Sequence, residues 1–203
     1  MINTATNTVS ATITGFTNPI SVAVNPGETR AYVVDYGAAS LRVVNLKASL
    51  KIKNDTTKAK YSVLWKWSNG SQTDKDEFGD PVTTDDYWLC IYDNNALVST
   101  TRVPADGTCD GNPCWSAKTK GFQFKSKTPS VDGATAVALG AGDDGKAKAQ
   151  LKGKGSTLDL PTLPPAGTVI AQLVKSSGGT CWTATYSPPF AKSDGVNLNG
   201  RAD

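Results

Sequence analysis

The strongest constraint in this sequence is its punctuation. Apolar residues arrive in short runs of about four to eight residues, each closed by a cluster of Gly, Pro, Asn, Asp, Ser or Thr. No stretch repeats apolar residues at the spacing of an amphipathic helix, so strands must build the core. The densest run is Asp86-Tyr87-Trp88-Leu89-Cys90-Ile91-Tyr92-Asp93, rich in aromatic and β-branched residues and free of Gly and Pro. Such a run forms a strand. Alternation puts Tyr87, Leu89 and Ile91 on one face and Trp88, Cys90 and Tyr92 on the other. Both faces are large and mostly apolar, which predicts a central strand covered on both sides.

The chain has 203 residues, enough for one sizeable core plus an appended element. The net charge of +3 comes mainly from Lys, and no Arg-rich cluster of the kind expected in a nucleic-acid binder is present. We therefore expect no nucleic-acid partner. No apolar run is long enough to span a bilayer. The start, Met1 to Thr6, carries neither the charged nor the apolar region of a signal peptide.

Histidine is absent. That removes Ser-His-Asp and Cys-His mechanisms, His-ligated zinc and the common neutral-pH general base. Enzymes can work with carboxylates alone, but the menu has become short, and we do not expect an enzyme.

The four cysteines, Cys90, Cys109, Cys114 and Cys181, allow three pairings. The loop Cys109-Asp110-Gly111-Asn112-Pro113-Cys114 can close on itself through its turn residues, which leaves Cys90 for Cys181 as a long-range staple. Two disulfides imply an exported, extracellular or cell-surface protein. The alternatives are four reduced thiols in a cytosolic protein, or a four-thiolate zinc site, although no pair of C-x-x-C knuckles supports the latter.

From residue 47 onward, strands are expected at Leu50–Lys53, Tyr61–Trp67, Asp86–Asp93, Ala96–Thr101, Gly121–Lys125, Thr135–Leu139 and Lys146–Lys152. A hairpin is expected from Gly167–Val174 and Thr180–Ser187. Residues 68–86 are polar and predict a long loop. The spacing is that of an all-β protein, a β-sandwich of jelly-roll or immunoglobulin-like kind over residues 47–190. Residues 191–203 lack periodicity and are expected to be a loosely ordered tail.

The first 46 residues differ in character. They hold Asn3-Thr4-Ala5-Thr6-Asn7-Thr8-Val9, then Asn18-Pro19-Ile20-Ser21-Val22-Ala23-Val24-Asn25-Pro26-Gly27. Arg30-Ala31-Tyr32-Val33-Val34-Asp35-Tyr36-Gly37 and Leu41-Arg42-Val43-Val44-Asn45 follow. This resembles one repeat of the YVTN type of β-propeller, with Asp35 where Asn is usual. The resemblance implies a four-stranded, blade-like element over residues 1–46. Blades bury their faces against neighbours, and no second copy follows. We expect either the last blade of a longer exported protein or a device that docks on the next domain or on a second copy, giving a homo-oligomer. Residues 47–203 resemble a C-terminal domain of uncharacterised exported bacterial proteins. The resemblance rests on Gly79-Asp80-Pro81 with Cys90-Ile91-Tyr92-Asp93, Gly107-Thr108-Cys109, Pro113-Cys114-Trp115, Lys120 to Lys125 and Gly178 to Ser187. It implies export and disulfides but assigns no chemistry.

Three groups are candidate sites. Tyr61, Trp65, Trp67, Trp88, Trp115 and Trp182 either fill the core or offer a sugar-stacking platform, and Trp67 and Trp115, next to turn residues, are the expected exposed members. Asp74, Asp76, Glu77 and Asp80, with Asp85 and Asp86, are hard oxygen ligands on a flexible loop and suit calcium, although not at EF-hand spacing. The same carboxylates are the candidate pair for a glycoside hydrolase. Lys146, Lys148, Lys152 and Lys154 alternate along one strand and are expected to protect a sheet edge, with contact to an anionic polymer or a membrane surface as the alternative; Asp143-Asp144, between glycines in a turn, is a weaker calcium candidate. The function expected from these features is a non-catalytic exported surface or structural β-module contacting other protein subunits. A carbohydrate-binding module for surface glycans and a carboxylate-based hydrolase are the alternatives.

Overall fold

The computed structural model describes residues 47–130 and 132–203. Within the first 46 residues it describes five strands as backbone: β1 (Ile2–Asn3), β2 (Thr8–Val9), β3 (Pro19–Val24), β4 (Ala31–Asp35) and β5 (Ser40–Val44). β1 pairs with β2, and β3, β4 and β5 form an antiparallel three-stranded sheet. The remainder of the blade-like repeat lies outside the described residues.

The rest of the chain is all-β. Strands follow as β6 (Lys47–Asp55), β7 (Lys60–Gly70), β8 (Tyr87–Asp93), β9 (Ala96–Val103), β10 (Thr108–Cys109), β11 (Asn112–Pro113) and β12 (Trp115–Lys118). Then come β13 (Gly121–Lys125), β14 (Ala134–Gly140), β15 (Ala147–Lys154), β16 (Val169–Lys175), β17 (Trp182–Tyr186), β18 (Lys192–Ser193) and β19 (Asn197–Arg201). Two large antiparallel sheets result, and β10 and β11 pair as a separate two-stranded hairpin. The larger has eight strands in the order β12-β13-β14-β15-β7-β6-β19-β18, and the smaller has four in the order β17-β16-β8-β9.

One hydrophobic core takes the inward face of each sheet. Alternation decides which residues enter it. On β7, Val63, Trp65 and Trp67 are buried, and on β15 Ala147, Ala149 and Leu151 are. The smaller sheet contributes Tyr87, Leu89, Ile91, Ala171, Leu173 and Trp182. Rings bridge the layers: Tyr87 lies 5.9 Å from Trp115, which meets Phe124 edge-on at 5.4 Å. Such pairs add to the free energy of burial.

The strand at 86–93 has the two-faced pattern expected, with one correction. Tyr87, Leu89 and Ile91 are at most 1% exposed, but Trp88, Cys90 and Tyr92 are only half-buried. Among the described residues the smaller sheet is covered on one side only, and β8 lies between β16 and β9 with its other face outward. The tight turn into β9 is as expected: Asn94 and Asn95 both take positive φ, at 47° and 67°, as a two-residue hairpin turn requires.

The tail is a second correction. Residues 197–201 form β19 inside the larger sheet, paired with β6 from Asn197 opposite Lys53 to Arg201 opposite Ser49. Leu198 enters the core at 3% exposure. The Asp203 carboxylate accepts hydrogen bonds from the Ser187 amide at 2.9 Å and the Ser187 hydroxyl at 2.6 Å. The segment has too few apolar residues to show periodicity, and backbone pairing with β6 holds it in place. The β-unit that starts at residue 47 therefore continues to residue 203.

Candidate functional site

The structure buries the two tryptophans expected at the surface. Trp67 is 5% exposed and Trp115 2%. The Trp67 indole lies directly on Gly70, where an added Cβ would fall 1.7 Å from a ring carbon. Trp115 points inward and donates its indole N–H to the Pro104 carbonyl at 2.8 Å. Proximity to a turn was a poor guide, because the Trp67 ring folds back over Gly70 and the Trp115 ring packs on Tyr87 and Phe124 in the core. Neither can present a face to a ligand.

The acidic loop is more ordered than its composition suggests. A 3-10 turn, Lys75–Phe78, sits in its middle, and Phe78 at its end is completely buried against Trp182, with ring centroids 4.8 Å apart. Glu77 accepts the Asp74 amide at 2.7 Å with one oxygen and the Thr180 hydroxyl at 2.9 Å with the other. Asp80 accepts the Val82 amide at 3.0 Å and the Thr83 hydroxyl at 2.7 Å. Asp74 and Asp76 stand exposed. Two of the four expected calcium ligands are thus engaged in shaping the loop. Among the described residues no group of three or more Cys, Asp or Glu side chains is gathered for a metal ion.

Asp85 and Asp86 anchor this loop to the smaller sheet. Asp85 accepts the Asp80 amide at 2.7 Å and the Ser177 amide at 3.2 Å. Burial works to raise its pKa, but hydrogen bonds from Ser177 and Asp80, with the charge of Lys175, hold it below the ordinary value. At Asp86 burial is likewise outweighed, here by the Ala105 amide and by Arg102, whose Nε lies 2.9 Å from the carboxylate. These carboxylates are fixed and ionised, and both are committed to structure.

Cys109 and Cys114 form a disulfide with Cα atoms 4.8 Å apart, closing the hairpin of β10 and β11. The second expected bridge is corrected. Cys90 and Cys181 are free thiols, half-buried and exposed respectively. Both lie on the outward face of the smaller sheet, but β16 runs between β8 and β17. Two inter-strand spacings amount to about 9.6 Å, beyond the reach of a disulfide. Burial pushes the Cys90 thiol up, and a hydrogen bond to Tyr92 only partly counters this.

What remains open to solvent is that outward face. Register aligns Trp88 with Arg102 and Val174, and Cys90 with Thr100, Gln172 and Thr183. Tyr92 and Ile170 share the next row. The Arg102 guanidinium sits 6.0 Å from the centre of the Trp88 ring while paired with Asp86. The face combines two aromatic rings with amide and hydroxyl groups, and its one central charge is neutralised. A neutral, hydroxylated ligand suits this chemistry. The alternation of 86–93 already separates Trp88 and Tyr92 from the buried set. Which of the two sets faces outward depends on the position of the second sheet.

A cavity of about 440 Å³ opens at the end of the core, between Ile52, Ile91, Val169 and Leu198 and a Pro-rich strap, Leu160–Ala166. Its four core residues are only 1–3% exposed. The strap is pinned by Asp93, which accepts the Ala166 and Gly167 amides at 2.6 and 3.0 Å, and by Asn54, which donates to the Pro161 carbonyl at 3.1 Å. The strap therefore forms a fixed wall of this cavity.

Among the described residues no helix is long and apolar enough to cross a membrane. Comparison with known protein families, curated protein sequences and solved structures yields no match.

Proposed function

We propose that this chain is a non-catalytic exported β-sandwich module that binds a neutral surface glycan on the outward face of its four-stranded sheet. The observation that carries this reading is the placement of Trp88 and Tyr92 on that face, beside Gln172, Thr100 and Thr183. Aromatic faces meet the C–H surface of a sugar ring, and amides and hydroxyls meet its hydroxyl groups. The Cys109–Cys114 disulfide supports an oxidising, exported setting. The three-stranded β3-β4-β5 sheet is the element proposed to join the module to a neighbouring blade or a second copy.

Glycan-array binding followed by titration calorimetry tests the reading. Trp88→Ala and Tyr92→Ala are each expected to weaken the best glycan hit about tenfold, the loss of one stacked ring. Full affinity in both variants, or an array with no hit, would overturn it.

A further inference from the structure

The eight-stranded sheet has an outward face of a different kind. Its three adjacent interior strands present Lys47 and Lys51 from β6, Lys66 from β7, and Lys148, Lys152 and Lys154 from β15, all exposed. Lys53 lies among them and is paired with Asp55 at 3.9 Å. Asp55, at the end of β6, is the sole acidic residue in the eight strands of this sheet. None of the six exposed lysines has an ion-pair partner among the described residues.

Alternating lysines ordinarily protect a sheet edge. That explanation fails here. β15 is hydrogen-bonded to β14 on one side and β7 on the other, and β7 and β6 are likewise flanked on both sides. No free edge exists at these strands for the charge to protect. Like charges within one Debye length repel, so an unpaired array of this kind is a standing cost to the fold that a bound anion removes.

The register shows how the charge is spaced. Across the sheet, Lys51 and Lys152 flank Leu64, and Lys47 and Lys148 flank Ser68. The intervening row reverses the order, with Lys66 between Ser49 and Gln150. Cations thus alternate with neutral residues, about 10 Å apart across two strand spacings. Gly140 lies opposite Lys148, and the lysine stem fills the space a Cβ would occupy, at 3.1 Å.

We propose that this face binds a linear acidic polysaccharide along β6, β7 and β15. The basic stripe is about 10 Å wide and about 20 Å long, the shape of an extended chain. Serine and glutamine between the lysines offer hydrogen bonds to sugar hydroxyls. A bilayer is a poorer match: adjacent strands rotate by about 20–25°, which turns an eight-stranded face out of one plane, and half-buried Leu64 is the one large apolar side chain among these positions. Nucleic acid is also a poorer match. No aromatic residue stands at the outward positions to stack a base, and lysine supplies charge without the bidentate fork of arginine. The surface lies on the opposite side of the core from Trp88, so the two sites are separate, and together they would let one module bridge a neutral and an acidic polymer.

Polygalacturonate is the probe, titrated at low salt and at about 0.2 M salt, where a charge-driven complex weakens strongly. Dextran serves as the uncharged control. The variant Lys51→Ser/Lys66→Ser/Lys152→Ser is expected to lose at least about tenfold in affinity with a shallower salt dependence. The comparison variant Lys118→Ser/Lys125→Ser/Lys192→Ser, exposed lysines on the outer strands, is expected to lose less than about threefold. Trp88→Ala should leave this binding unchanged, which separates it from the glycan site. Circular dichroism confirms that each variant is folded. Absence of polygalacturonate binding at low salt, or equal loss in the two triple variants, overturns the proposal. So does binding confined to phosphatidylglycerol vesicles or to single-stranded DNA.

Discussion

Tyr87 donates its phenolic proton to the main-chain carbonyl of Phe78 at 2.6 Å, inside the core. The bond spans nine residues and ties the acidic loop to β8. Phe78 stacks on Trp182 of β17, and Tyr87 lies 6.3 Å from the same indole. Burial, followed by the nearby charge of Asp85, pushes the Tyr87 ionisation far upward, so the phenol stays protonated and remains a donor. A loop that looks solvated from its composition is thereby joined to the core at one apolar residue.

Tyr87→Phe should cost about 1–3 kcal/mol, because the Phe78 carbonyl would be left buried without a donor. Tyr186→Phe is the contrast. Its buried hydroxyl lies beside the Trp65 indole N–H without a well-formed hydrogen bond among the described residues, and burial pushes its pKa upward. Removing that hydroxyl should cost nothing or stabilise. Urea denaturation of both variants checks the pair, and a larger loss from Tyr186→Phe would contradict it.

Acid should weaken the fold through identified carboxylates. The pKa of Asp85 and Asp86 is lowered from 3.8, and that of Asp194 is lowered to about 2 by the Val196 and Asn197 amides. A group with a depressed folded pKa contributes stability that is fully present above its unfolded value and lost as pH falls through the folded one. Melting temperature should hold steady from neutral pH to about 4 and then drop. Asp86→Asn should lower the neutral-pH plateau and flatten the drop, as thermal scans across pH would record.

The C-terminal strand should be essential. Leu198→Ala removes a buried side chain from β19, with an expected loss of about 2–5 kcal/mol. Truncation after Phe190 strips β18 and β19 from the sheet and leaves β6 as a bare edge. The truncated protein should melt non-cooperatively in calorimetry. An unchanged, cooperative transition would return residues 191–203 to the status of a loose tail.

Native protein should show one fast-reacting thiol. Cys181 is exposed, whereas Cys90 is half-buried with its ionisation pushed up. Iodoacetamide labelling followed by a non-reducing peptide map should place the first label on Cys181, the second on Cys90 only after unfolding, and the bridge at Cys109–Cys114. A peptide linking Cys90 to Cys181 would overturn the strand order drawn here.

The sequence by itself determined the long strands between residues 47 and 187 and what lines each of their faces, whereas the short β10, β11 and β12 and the C-terminal β18 and β19 carry too little alternation to show. Period-two alternation is a local property of the backbone, so Tyr87-Leu89-Ile91 and Ala147-Ala149-Leu151 separate from their neighbours without any tertiary information. The Asn94-Asn95 turn and the Cys109–Cys114 loop were legible for the same reason, since each closes over a few residues. The tertiary structure alone decided which face of a strand meets water and which strands are neighbours. Trp67 and Trp115 went inward and Trp88 outward because the second sheet covers only one side. Cys90 and Cys181 stayed apart because β16 runs between them. The lysines of β15 lost their role as edge protection for a similar reason: β7, whose residues lie 77 to 92 positions earlier than their partners, pairs along the whole strand. Long-range pairing depends on which distant segments bury the most apolar surface together, and no local pattern encodes that choice.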